Sequence, residues 1–244
     1  MAKNALLWYK RTMKPTDPER QQAHAALLVA HDIAVAALAG GVEAILAAVG
    51  ACHQSADRLW GDARAAGSDP AAEAACAAGC GWCCHQPVEA STVEVLAIAA
   101  RLRIHPDIAA LRARLGAWSG GRICPFLTNG TCAIYSFRPL KCRGLYQPDP
   151  RWCMATFAKI DPPEDGSPIC HRAFTLPRTL FDAVGQGLTR PLHRAGLDCA
   201  ALDFAPALKA VLDRPDAAAA WARGDALFPD RVRFHGWIER DFSL

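Results

Sequence analysis

The longest run of helical periodicity lies toward the N-terminus. From Gln21 to about Ala66 the chain is dominated by Ala and Leu, with few β-branched residues, and Leu28, Ile33, Ala37, Leu38, Ile45, Leu46 and Val49 recur at spacings near three and four. Thr16-Asp17-Pro18-Glu19 marks its start, with Asp17 as the cap, Pro18 in the first position and Glu19 in the first turn. Gly40-Gly41 predicts a kink or a division into two packed helices. The stretch Ala65 to Pro70 reads as a linker, and Ala71 to Ala78 as a short helix that runs into a group of cysteines. Glu89 to Arg103, with Ser91 or Thr92 near its start, predicts an amphipathic helix, and Ile108 to Trp118 another, closed by Ser119-Gly120-Gly121.

Between Cys124 and Pro150 the periodicity stops. Pro125, Pro139, Gly144 and Pro148 break the chain into loops, and Asn129-Gly130 predicts the tight turn of a small hairpin. A segment of this kind needs something besides periodic packing to hold it, and metal ligation would supply that. Helical runs resume at about Arg178 to Leu188, Ala205 to Leu212 and Asp216 to Gly224, followed by an aromatic tail with Phe234, Trp237 and Phe242 that is expected to dock on the body. Strand-like alternation is nearly absent. The expected fold is mainly α: helical N- and C-terminal regions (1–67 and 151–244) around a loop-rich, cysteine-ligated metal-binding centre (68–150).

Composition narrows the partners. Twenty-seven basic against 24 acidic residues leave no global field that would draw nucleic acid or anionic lipid. The apolar run Ala5 to Trp8 is too short for a signal peptide core, and Ala25 to Gly50 is interrupted by His31, Asp32 and Glu43, so no membrane span is expected and a cytoplasmic location is. The apolar face from Leu27 to Val49 is long enough to serve an oligomer or a protein or peptide partner.

The chemistry sits in the cysteines. The chain has 11, and Cys76, Cys80, Cys83, Cys84, Cys124, Cys132 and Cys142 fall in under a third of its length, a ligand pattern rather than a packing pattern. A disulfide framework would leave one thiol over. Seven thiolates exceed the four of a structural zinc site, and the adjacent Cys83 and Cys84 must point apart, so a polynuclear centre is expected: an iron-sulfur cluster or iron, alternatively zinc. Arg138, between two of these cysteines, could offset thiolate charge, and Arg143 could bind an anion beside the centre or form a structural ion pair; Lys141 is close in sequence as well. Tyr135 reads as a core aromatic. Cys153, and Cys170 with His171, could add ligands, whereas Cys52 and Cys199 read as buried small residues and His24 and His31 as ordinary helix residues.

Cys76, Cys80, Cys83 and Cys84, then Cys124-Pro125-Phe126-Leu127, Gly130, Cys132, Ile134-Tyr135, Arg138-Pro139 and Cys142-Arg143 resemble the YkgJ-type cysteine-cluster family, described as a zinc- or iron-chelating domain. The resemblance covers roughly Ala71 to Tyr146 and implies a bound metal centre in a bacterial cytoplasmic protein. Flagellin lysine N-methylases carry a similar cluster, which implies a protein-modifying reaction as one inheritance. Two function classes follow: an oxidoreductase or protein-modifying enzyme whose metal centre does chemistry, or a metal-stabilised structural or partner-binding protein. The glycine-rich stretch Val184-Gly185-Gln186-Gly187 is a weak match to a nucleotide-binding turn, since it lies in a helical run.

Overall fold

The computed structural model describes residues 16–66, 74–158, 160 and 174–234. The expectations for Ala5 to Trp8, Cys170, His171, Trp237 and Phe242 lie outside these residues. The fold is mainly α, with nine helices and four short strands among the described residues.

Helix α1 (Asp17–Leu38) begins one residue earlier than the sequence suggests. Thr16, not Asp17, is the cap: its hydroxyl accepts from the Glu19 N–H, and the Glu19 carboxylate accepts from the Thr16 N–H. The same carboxylate receives the Thr175 hydroxyl, which ties the start of α1 to the start of α7 (Thr175–Arg194). Gly41, at φ 70°, divides α1 from α2 (Gly41–Ala65), as its backbone freedom allows. The buried face of α1 is built almost wholly of alanine, namely Ala23, Ala26, Ala30, Ala34 and Ala37 around Leu27. Small side chains let helix axes approach closely, and α7 comes so near that a Cβ on Gly187 would stand 2.2 Å from the Leu27 carbonyl oxygen. Val184-Gly185-Gln186-Gly187 is thus a packing surface inside a helix.

Strand β1 (Glu89–Ser91) pairs antiparallel with β4 (Ala201–Asp203), Ala90 opposite Leu202. Three residues predicted as helix are therefore strand, and α3 (Thr92–Arg103) starts at the Ser91 cap with Glu94 closing the box. This helix is not amphipathic: Thr92 to Ala99 are all buried, because α2 covers one side and α8 (Phe204–Val211) the other. Helix α4 (Ile108–Ala117) packs on α8, and α9 (Ala217–Ala222) sets Trp221 into the core, its indole N–H donating to the Asp198 carbonyl. Residues 74–78 form no helix, since the chain turns there toward the thiols.

The middle of the chain carries the hairpin β2 (Leu127–Thr128) and β3 (Thr131–Cys132), the short helices α5 (Leu140–Arg143) and α6 (Pro150–Cys153), and a π-helical turn Met154–Ala158. Apolar packing anchors this stretch. Phe126, Ile134, Phe137 and Leu140 are buried in the same continuous core as the terminal helices, with Phe126 against Phe204 at 5.9 Å between ring centres. No helix among the described residues is long and apolar enough to cross a membrane.

Candidate metal centre

Tight turns bring the cysteines toward one another. Gly79 adopts φ 96°, the left-handed region that favours glycine, and reverses the chain between Cys76 and Cys80. The Cys84 N–H then closes on the Gly81 carbonyl at 3.0 Å to form the 3-10 turn Trp82–His85. Gly81 faces the hairpin, where a Cβ would stand 2.9 Å from the Gly130 carbonyl oxygen, so the missing side chain lets the two loops meet. The hairpin turn has Asn129 at φ 48° and Gly130 at φ 74°, the conformation expected of Asn-Gly. Finally the Cys124 N–H donates to the Cys84 carbonyl at 2.8 Å and joins the two cysteine loops directly.

Backbone donors point at the sulfurs. The N–H of Trp82 faces Cys80, that of Phe126 faces Cys124, and that of Ile134 faces Cys132, each two residues beyond its cysteine. The Gln147 N–H reaches the Cys76 sulfur at 3.2 Å. Such bonds favour the thiolate and, in metal sites, tune the centre.

Cys83 is the common neighbour. It interacts electrostatically with Cys76, Cys124, Cys132, Cys142 and Cys153, and its side chain hydrogen-bonds Cys84. That bond is the first cause lifting the Cys83 thiol well above its ordinary range, followed by burial. Burial leads elsewhere: it pushes Cys76 up to about 11 and Cys124 up to about 12, and, with Cys83, Cys124 and Cys132 adding to it, holds Cys142 far above the usual thiol value. Gathered without a cation, these groups are neutral thiols at pH 7. Neutral thiols pack as small apolar groups, and among the described residues no set of three His, Cys, Asp or Glu side chains stands in position to hold a metal ion. Thiolates would have to draw inward as their protons leave.

The donor set fits a thiophilic ion. Thiols with N–H···S donors are ligands of the kind zinc and iron take, and Gln147, whose backbone N–H reaches the Cys76 sulfur, has a buried side-chain oxygen with no hydrogen-bond partner among the described residues. Of the three nearby cations only Arg138 faces several sulfurs, namely Cys76, Cys83, Cys132 and Cys142. Its guanidinium lies 3.6 Å over the Tyr135 ring and donates to the Tyr135 carbonyl at 2.8 Å. Tyr135 is thus a half-exposed platform for Arg138, not a core aromatic. Lys141 is turned to Asp182 at 2.7 Å. Arg143, 4% exposed, donates to the carbonyls of Arg138 and Ser136 and to Asp57, so it braces the Arg138 loop and does not present its donors to an anion. Cys52 is buried and Cys199 lies at the core edge, both away from the group.

Sequence reasoning missed Glu94. This carboxylate is 5% exposed and accepts from the Leu140 N–H at 2.9 Å, the Ser91 N–H at 3.1 Å and the Ser91 hydroxyl at 3.0 Å, with His53 Nε2 at 3.3 Å. It therefore fixes the start of α5, the helix that carries Cys142. The available signal was an acidic residue amid the apolar run Val93 to Ala99, three positions after a serine.

Residues 75–157 match the family model CxxCxxCC, described as "Putative zinc- or iron-chelating domain". The central segment is a cysteine-cluster domain of this family. The CxxCxxCC match ends beyond Cys153 and so takes in α6 and most of the π-helical turn as well as the seven expected ligands. No curated protein and no solved structure matches the chain. Beside the CxxCxxCC loops lies an open cleft of about 700 Å³, walled by His85, Trp118, Arg122, Ile123 and Phe157.

Proposed function

We propose that this protein carries a polynuclear thiolate centre of iron or zinc, built on Cys83 with Cys76, Cys80, Cys124, Cys132 and Cys142 and screened by Arg138. The observation that supports it best is the placement of Cys83 as common neighbour of the other thiols, with backbone N–H groups aimed at four of the sulfurs. Cys84, whose side chain hydrogen-bonds Cys83, is the seventh cysteine of the group. Iron would make the centre an electron carrier, and the adjoining cleft, with His85 next in sequence to Cys84, offers a place for the molecule it reacts with.

A metal-stabilised partner-binding protein is the second reading. Leu28, Val29 and Val35 on α1 are each more than 40% exposed and would supply its contacts. Anaerobic purification with metal and acid-labile sulfide analysis tests both. Iron with sulfide gives a cluster, iron without sulfide a bridged thiolate centre, and zinc alone the structural reading. A folded chain with no metal would overturn the proposal.

A further inference from the structure

The open cleft beside the cysteine loops is built from three segments that hold one another in place. Trp118 ends α4, and its indole N–H donates to the Ile123 carbonyl at 3.0 Å, which closes the intervening loop and fixes the ring as one wall. Arg122, on that loop, donates to the Phe157 carbonyl at 3.2 Å and so ties the loop to the π-helical turn. Phe157 is held in turn by Trp152, edge-on with ring centres 5.5 Å apart. His85 closes the Trp82–His85 turn, its Nδ1 lying 3.2 Å from the Trp82 carbonyl. A carbonyl only accepts, so Nδ1 carries the hydrogen and Nε2 of the neutral ring is left as an acceptor.

The charge of the cleft has one sign. Its lining contains no acidic side chain, and Arg122 has no carboxylate partner among the described residues, so most of its donors are uncommitted. The end of α4 would oppose an anion here, because the last carbonyls of a helix carry partial negative charge. Lys209 of α8 removes that obstacle: its ammonium donates to the Gly116 carbonyl at 2.8 Å and to the Trp118 carbonyl at 3.2 Å. The walls around these cations are apolar, formed by Trp118, Phe157 and Ile123, the last 52% exposed. A volume of about 700 Å³ lies in the range of small-molecule sites.

Resting on the reading that the proposed centre meets its reactant in this cleft, we infer that the cleft binds a small organic anion, a carboxylate with an aromatic or apolar body. The carboxylate pairs with Arg122, the body lies against Trp118, Ile123 and Phe157, and His85 Nε2 accepts from a hydroxyl or amide that the body carries. A bare inorganic anion would satisfy Arg122 and leave the apolar walls in water, so the body is part of what is recognised.

Isothermal titration of the purified full chain with naphthoate and with its uncharged amide, naphthamide, tests this, since the two share one ring system and differ in charge. The wild type is expected to bind naphthoate about tenfold more tightly than naphthamide. Arg122→Met should abolish that preference, Arg122→Lys should keep part of it, and Trp118→Leu should weaken both ligands. Lys209→Met should lower naphthoate affinity selectively, because it uncovers the α4 carbonyls without touching the ligand. The ratio of the two affinities within each variant is the readout, so a general loosening of the walls, which lowers both, does not mimic loss of the charge. A wild type that binds neither ligand or both equally, or an Arg122→Met chain that keeps the preference, would overturn the inference. Metal analysis of the same preparations separates the two readings: a chain that holds metal but shows no preference loses the cleft site alone, and a chain without metal that prefers naphthoate loses the centre alone.

Discussion

Replacing Glu94 with glutamine tests how the fold presets the cysteine loops. The carboxylate offers one oxygen to the Leu140 N–H and His53 and the other to the Ser91 N–H and hydroxyl. Glutamine turns one of those oxygens into an NH2, which must then face a backbone N–H that has no other acceptor. Leaving one buried donor unpaired costs about 1–3 kcal/mol. The expected loss is therefore about 1–3 kcal/mol, measured by urea denaturation of the metal-free chain at pH 7. A pH signature goes with it. Burial alone would raise this carboxyl, but His53, the Leu140 N–H and the Ser91 N–H together pull it below the ordinary carboxylate value. The sign then follows: the stabilisation is present above the unfolded value, near ~4.3, and is lost as pH falls through the lower folded value. Glu94→Gln should flatten that acid limb. A loss under about 0.5 kcal/mol at pH 7, or an unchanged acid limb, would refute the clamp.

Two further outcomes are expected. Gly187→Ala should destabilise the chain by about 3 kcal/mol, read as a lower melting temperature, because its new methyl would meet the Leu27 carbonyl at 2.2 Å and Ala30 at 2.9 Å; unchanged melting would remove the close α1–α7 contact. Metal-free protein should lose stability as pH rises from about 8.5, where unfolded thiols ionise, because Cys76 and Cys124 hold their protons up to about 11 and 12 in the fold; the metal-loaded protein should be less affected across that window.

The terminal helices were readable because their apolar spacing is local information, and Asn129-Gly130 because it imposes its own turn. Burial of the middle segment was not readable. Phe126, Ile134, Phe137 and Leu140 show no period, since each enters the core from a different turn. Thr16 outcompeted Asp17 as cap through its reciprocal bond to Glu19, three positions on, where Asp17 would have met Arg20 instead. For the site, spacing marked which cysteines belong to the middle segment, but it could not say that Lys141 and Arg143 turn to carboxylates while Arg138 stays with sulfur. Those choices depend on Asp182 and Asp57, carried by α7 and α2.

The pairing of α1 with α7 also orders events in time. Glu19 and Thr175 stand 156 positions apart, so the alanine face of α1 leaves the ribosome long before its partner exists. At about 5–20 residues per second that interval is roughly 10–30 s. All the thiols from Cys76 to Cys153 emerge within it, ahead of α7. The cysteines of the middle segment are therefore able to fold, and to take up the proposed metal, while the first helix still lacks its lid.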